Sequence, residues 1–113
     1  MESLEVARDR ILKKYGFKPP LGTAIIGAIG EYLVVADLLF KGYEVFYATT
    51  RTSSCDLVIL NDGLLRRVEV KVNQTGYLQK ADILALVTSE GIVYAPDLPD
   101  IKVKPKWHNS REP

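Results

Sequence analysis

Residues 55–72 read Cys55-Asp56-Leu57-Val58-Ile59-Leu60-Asn61-Asp62-Gly63-Leu64-Leu65-Arg66-Arg67-Val68-Glu69-Val70-Lys71-Val72. Two apolar, β-branched runs, Ser54 to Leu60 and Leu64 to Val72, flank Asn61-Asp62-Gly63, the strongest short-range hairpin signal. A two-residue Asp62-Gly63 turn pairs Asn61 with Leu64. It then sets Leu60 opposite Leu65, Ile59 opposite Arg66, Val58 opposite Arg67 and Leu57 opposite Val68. Extended by one step, the same register brings Asp56 opposite Glu69, with Cβ atoms about 4.5–5.5 Å apart. Lys71 follows Glu69 by two residues and shares its face. A three-residue loop would instead put Asp56 opposite Val68, so the cluster depends on the register.

Two carboxylates directly opposed on a sheet repel each other. A shared proton or the Lys71 ammonium would offset that repulsion, and a divalent cation would do so best. Oxygen-rich sites with two carboxylates suit Mg²⁺, which keeps waters and engages phosphates. The other face of the hairpin carries Leu57, Ile59, Val68 and Val70 and reads as core. The acidic face also bears Val58, Leu60 and Leu65, so it is not simply the solvent side of an amphipathic strand.

Working outward, residues 4–15 show apolar positions at helical spacing, with Ser3 as cap and Gly16 as stop. Pro19-Pro20 ends that helix. A second helix is expected from about Thr23, its cap, to Lys41, with Gly42 as a left-handed stop. It is apolar almost all round, which predicts cover on both flanks. Glu31 is a costly residue in that stripe unless it is paired or binds a metal. Gly27 and Gly30, poor helix formers, predict close approach to another backbone, which would pack Glu31 on the sheet near the strand carboxylates. Further strands are expected at Tyr43 to Ala48, Ile83 to Thr88 and Ile92 to Ala95. The order reads as an α+β domain with helices on a mostly antiparallel sheet. The expected organisation is one domain over 1–113: an N-terminal helix and linker (1–20), a core (21–95) and a basic tail (96–113).

The 113 residues carry a net charge of +1 and are 47% hydrophobic. That composition excludes a disordered chain and argues against one that coats nucleic acid non-specifically. The charge is segregated: residues 1–20 and 101–113 are net basic, and 21–100 are net acidic. Basic ends of this kind are either solvated or in contact with phosphates. The apolar stretch Ala24 to Phe40, interrupted by Glu31 and Asp37, is read as no membrane span. The start of the chain lacks signal-peptide character, and the single Cys55 fits a reducing, cytoplasmic setting.

Gly27-Ala28-Ile29-Gly30-Glu31, Lys41-Gly42-Tyr43-Glu44-Val45, Ser53-Ser54-Cys55-Asp56-Leu57-Val58-Ile59 and Val68-Glu69-Val70-Lys71, in that order, resemble the PD-(D/E)XK nuclease superfamily. Within it, they resemble the archaeal Holliday-junction-resolvase and small homing-endonuclease branches. The resemblance spans about residues 23–95. Cys55 stands where the motif has Pro. The resemblance implies a restriction-endonuclease-like fold with a central mixed sheet of about five strands flanked by helices. It also implies that Asp56 and Glu69 bind Mg²⁺ (Mn²⁺ substituting), with the Val70 carbonyl as a further ligand and Glu31 assisting. Lys71 would position or activate the attacking water. Hydrolysis of a phosphodiester then needs Mg²⁺ to neutralise charge on the phosphate and acidify water, and Lys71 to hold negative charge.

The function expected is therefore a Mg²⁺-dependent DNA endonuclease with one site per chain, acting as a homodimer or higher oligomer to cut both strands. It needs no small-molecule cofactor and no membrane. Two alternatives stand: a catalytically silent nuclease-fold module that binds DNA or assembles, and a structure-specific resolvase. Taken alone, Glu69 and Lys71 would read as an exposed surface pair. Arg51, Ser53, Ser54 and Gln74 border the expected site and are candidate phosphate contacts.

Overall fold

Asp62 and Gly63 have φ values of 51° and 79°, the two left-handed residues that a type I′ turn requires. This tight turn makes β2 (Leu57–Asn61) and β3 (Leu64–Val72) an antiparallel hairpin in the expected register, from Asn61 opposite Leu64 to Leu57 opposite Val68. The computed structural model describes residues 3–18, 21–47, 56–73 and 81–102. Its remaining elements are α1 (Leu4–Lys14), α2 (Thr23–Lys41), β1 (Glu44–Tyr47), β4 (Ile83–Thr88) and β5 (Gly91–Ala95).

The fold is α+β with one five-stranded sheet in the order β1-β2-β3-β4-β5. Three of the four pairings are antiparallel, and β3 runs parallel to β4. The sheet is therefore mixed, and the simple meander extends only to β3. Asp82 fixes the parallel pair at its start. Its N–H donates to the Arg67 carbonyl at 2.8 Å, and its carboxylate accepts from the Arg67 N–H at 2.8 Å and from the guanidinium. The Arg67 bonds hold the Asp82 carboxyl below its ordinary range.

One face of the sheet carries the core. Leu57, Ile59, Val68, Val72, Ile83, Ala85 and Val87 are buried there with Val34 and Leu38 of α2 and Ile11 and Leu12 of α1. Only one stripe of α2 is buried, formed by Ile26, Gly30, Val34 and Leu38. Ile25 and Tyr32 are half or more exposed and Phe40 is 84% exposed, so the expectation of cover on both flanks fails. Although α2 has the length and apolar composition of a membrane-crossing helix, its buried stripe commits it to the sheet. Its C-terminal half is further held by the Tyr94 hydroxyl of β5, which donates to Asp37 at 2.5 Å.

The caps divide in the same way. Ser3 caps α1 as expected, its hydroxyl accepting from Val6 N–H at 3.2 Å, and Gly42 ends α2 in the left-handed region with φ 100°. The N-cap of α2 is Gly22, not Thr23, and supplies no side-chain hydrogen bond. Residues 97–100 are fastened to the sheet: the Tyr43 hydroxyl donates to the Pro99 carbonyl, and the Asn61 amide donates to the Asp100 carbonyl at 3.4 Å. The basic tail from residue 103 lies outside the described residues.

Candidate functional site

Asp56 stands where the β2 chain meets the flank of β3. Its N–H donates to the Val68 carbonyl at 3.0 Å, and its carboxylate Oδ2 accepts the Val70 N–H at 2.7 Å. The side chain thus takes the backbone bond that the next β2 residue would otherwise make. In an extended strand the N–H and C=O of one residue leave on the same side, so the Val70 carbonyl also faces Asp56.

Glu31 arrives from the helix. A Cβ added at Gly30 would lie 2.6 Å from Val72 Cγ2 and 3.6 Å from Val70 Cγ1. The bare glycine lets α2 settle onto β3 at that turn and delivers the next residue, Glu31, to the site. Gly27 has no such contact, so the close approach expected of both glycines belongs to Gly30. Burial, and secondarily the negative charge of Asp56, raise the Glu31 carboxyl above its ordinary 4.5.

Glu69 and Lys71 form an ion pair at 3.6 Å. By the pleat they leave β3 opposite to Val68, Val70 and Val72, the side that carries α2. The structure thus brings Glu31 to Asp56 and Glu69 to Lys71, with Asp56 and Val70 at the junction of the two pairs. Among the described residues, no three Asp, Glu, His or Cys side chains close into a metal shell. Arg51, Ser53, Ser54 and Gln74 lie outside the described residues.

Two aromatic residues at the site were not anticipated. Tyr32 and Tyr47 meet edge to face with centroids 6.3 Å apart, and both are exposed. Tyr47 pairs with Leu57, one residue from Asp56, and Tyr32 follows Glu31. Burial, followed by the neighbouring Tyr32 and Glu31, raises the Tyr47 phenol. Tyr32 follows Glu31 in the sequence, but Tyr47 comes to the site only through the β1–β2 pairing, which no local signal gives.

The donor set of carboxylates and a carbonyl is that of a hard, oxygen-seeking cation. The expected opposition of Asp56 and Glu69 is not formed: the ladder ends at Leu57–Val68, the Asp56 N–H turns to the Val68 carbonyl, and Glu69 leaves β3 on the face away from α2, so closing the set around an ion asks Glu69 to leave Lys71 and reach round the strand. The raised Glu31 carboxyl has a consequence for stability. Below about pH 4.5 it is protonated folded or unfolded; as pH rises through its raised native value, the native state holds the extra proton and stability falls. Without added metal, Glu31→Gln is expected to raise Tm at pH 7, with the gain vanishing near pH 4. Melting curves at the two pH values check this; an equal shift at both would reject the coupling.

No protein-family model and no curated protein matches the chain. The fold recurs among solved structures. One is the structure of a bacterial homing endonuclease, I-Ssp6803I, which aligns with a TM-score of 0.52 and 17% identity over 75% of this chain and 83% of that one. At that identity the likeness is one of fold.

Proposed function

We propose that the chain is a metal-dependent DNA endonuclease of PD-(D/E)XK type, acting inside the cell, with Glu31, Asp56, Glu69 and Lys71 as its catalytic residues. The observation that carries this reading is the bond of the Val70 N–H to Asp56, which holds Asp56 against the strand of Glu69 and Lys71 in a fold shared with a homing endonuclease. Asp56, Glu69 and the Val70 carbonyl would hold Mg²⁺ (or Mn²⁺), with Glu31 completing the set. The bound ion supplies Lewis acidity and a more acidic water.

The chain's own groups do the rest. The Val70 N–H anchors one oxygen of Asp56 and leaves the other to act. Lys71 holds negative charge on the phosphate and orients the attacking water. Glu31, beside Asp56, would assist in holding the ion or the water. One site cuts one strand, so duplex cleavage takes a homodimer or larger assembly.

The second reading, a silent DNA-binding module, is favoured by one observation: among the described residues Glu31 and Asp56 stand apart from Glu69, which is paired with Lys71, and no three carboxylates form one shell. Supercoiled plasmid and a four-way junction, each with Mg²⁺ and with chelator, separate the readings. The enzyme nicks in Mg²⁺ only, and Glu69→Gln and Lys71→Ala lose at least about 100-fold of that rate, some 2.7 kcal/mol. Cutting of the junction alone marks a resolvase. Binding without cutting in any metal would leave the silent module.

A further inference from the structure

The outer face of α2 is apolar along its length. Ile25, Ala28, Tyr32, Ala36 and Leu39 recur at helical spacing on the side opposite the buried stripe of Ile26, Gly30, Val34 and Leu38. All five are exposed. The three charged residues of the helix lie off this face: Glu31 stands beside Asp56, and Asp37 pairs with Lys41 at 2.9 Å. At its middle the face continues onto β1, where Tyr47 meets Tyr32 edge to face. Ile25 is 53% exposed, Tyr32 66%, Leu39 39% and Tyr47 48%. Taking a large side chain at about 200 Å², these residues and the alanines beside them present roughly 600 Å² per chain. Two such faces brought together bury roughly 1,200 Å², which reaches the range of specific protein interfaces. Apolar patches of this size mark interaction surfaces.

We infer that this face pairs with the same face of a second copy of the chain, the two α2 helices running antiparallel about a two-fold axis at Tyr32. The order of residues selects a copy over another occupant. Tyr32 is the middle residue of Thr23–Lys41. Ile25 and Leu39 stand seven residues to either side of it, and Ala28 and Ala36 four. A two-fold axis there sets Ile25 of one chain level with Leu39 of the other, and Ala28 level with Ala36. The alanines leave room between them for the two Tyr32 rings. A closed dimer needs a self-complementary patch of this kind. Charge points the same way. A helix that lies on a membrane carries Lys and Arg beside its apolar face, whereas the one basic residue of α2 is Lys41, held by Asp37. Pairing supplies the second flank of cover that an all-apolar helix calls for. It gives a surface to the assembly that duplex cleavage takes, yet it rests on the helix face alone and stands whether or not the carboxylates cut DNA.

The test is the mass of the full chain in solution, by sedimentation equilibrium over a series of micromolar concentrations without DNA. Wild type is expected at twice the 12.6 kDa chain mass, with a Tm that rises with protein concentration. Ala28→Glu and Ala36→Lys each put an unpaired charge into the seam. Both positions are exposed and both new residues are good helix formers, so each variant keeps its melting transition. Each is expected to weaken dimerisation at least about tenfold and to lose the concentration dependence of Tm. Within one helix the two positions are eight residues apart and do not meet; across the axis they do. The double variant is therefore expected to dimerise about tenfold better than either single one. A wild type that is monomeric throughout would overturn the inference, and one that also pellets with vesicles of phosphatidylcholine and phosphatidylserine would assign the face to a membrane. A dimer indifferent to both single changes would overturn it by placing the interface elsewhere. Single variants that dissociate, with a double variant that stays monomeric, would overturn the antiparallel pairing about Tyr32.

Discussion

Asp56→Asn is expected to abolish metal-dependent cleavage and leave the melting temperature at or above that of wild type, whereas Asp56→Ala loses both. The difference follows from the two jobs of one side chain. Oδ2 accepts the Val70 N–H at 2.7 Å, and an asparagine carbonyl can accept it as well. Alanine cannot, and the Val70 amide then faces the end of β2 unpaired at a cost of about 1–2 kcal/mol. Asparagine also removes the negative charge that raises the Glu31 carboxyl, so it relieves repulsion in the absence of metal. Catalysis is less forgiving. A neutral amide holds a hard cation less tightly than a carboxylate, and the Lewis acidity at stake is worth several kcal/mol, so both variants should fall by at least about 100-fold in rate. Plasmid nicking and thermal melting on the two purified variants check this. Equal stability of the alanine and asparagine proteins would show that the Asp56–Val70 bond does not hold the strand end.

The second large effect concerns Gly30. Alanine there would place its Cβ 2.6 Å from Val72 Cγ2, and Val72 is buried at 6% exposure with a stiff, branched side chain. Overpacking of this kind costs about 1–3 kcal/mol, against about 1 kcal/mol returned by better helix propensity. The balance is a net loss, seen as a drop in Tm of several degrees. Because α2 must lift off β3 to make room, Glu31 moves with it and cleavage should fall further than stability alone explains. Gly27→Ala is the control. Nothing lies within 4 Å of a Cβ at that position, so the same substitution one turn earlier should stabilise by up to about 1 kcal/mol. Chemical denaturation of the two variants distinguishes a helix-propensity effect, which has one sign at both positions, from the packing effect, which has opposite signs.

Most of the architecture could be read from local chemistry. Asp62-Gly63 specifies its turn through two positive φ values, and from the turn the pairing down to Leu57–Val68 follows by counting. The helices were legible for the same reason: Ser3, Gly16 and Gly42 are punctuation whose mechanism acts within a few residues. What escaped was non-local. The parallel β3–β4 pairing depends on a connection whose residues 74–80 carry no strong local signal. The uniformly apolar Ile83-Leu84-Ala85-Leu86-Val87, buried at nearly every position, was nonetheless the hint of a central strand. The bare flank of α2 escaped as well, because apolarity all round a helix states what cover it wants and not what cover it has.

At the candidate site, Glu31 comes to Asp56 as its helix position leads, but the register counted from the turn stops at Leu57–Val68 and does not carry on to Asp56 opposite Glu69. How their side chains turn did not follow from sequence. Asp56 bends towards the Val70 amide and Glu69 towards Lys71. The Tyr32–Tyr47 contact was hidden for a different reason: it joins a helix to an edge strand whose register becomes known only once the sheet is assembled.

Diffraction from a crystal of the protein grown with Mn²⁺, using the anomalous signal of the metal, tests the central claim most directly. A single strong peak bounded by Asp56, Glu69 and the Val70 carbonyl, with Glu69 swung away from Lys71, is the expected result. A map with no peak there at millimolar Mn²⁺, and with the Glu69–Lys71 ion pair intact, would contradict the account of these carboxylates as a metal-dependent nuclease centre.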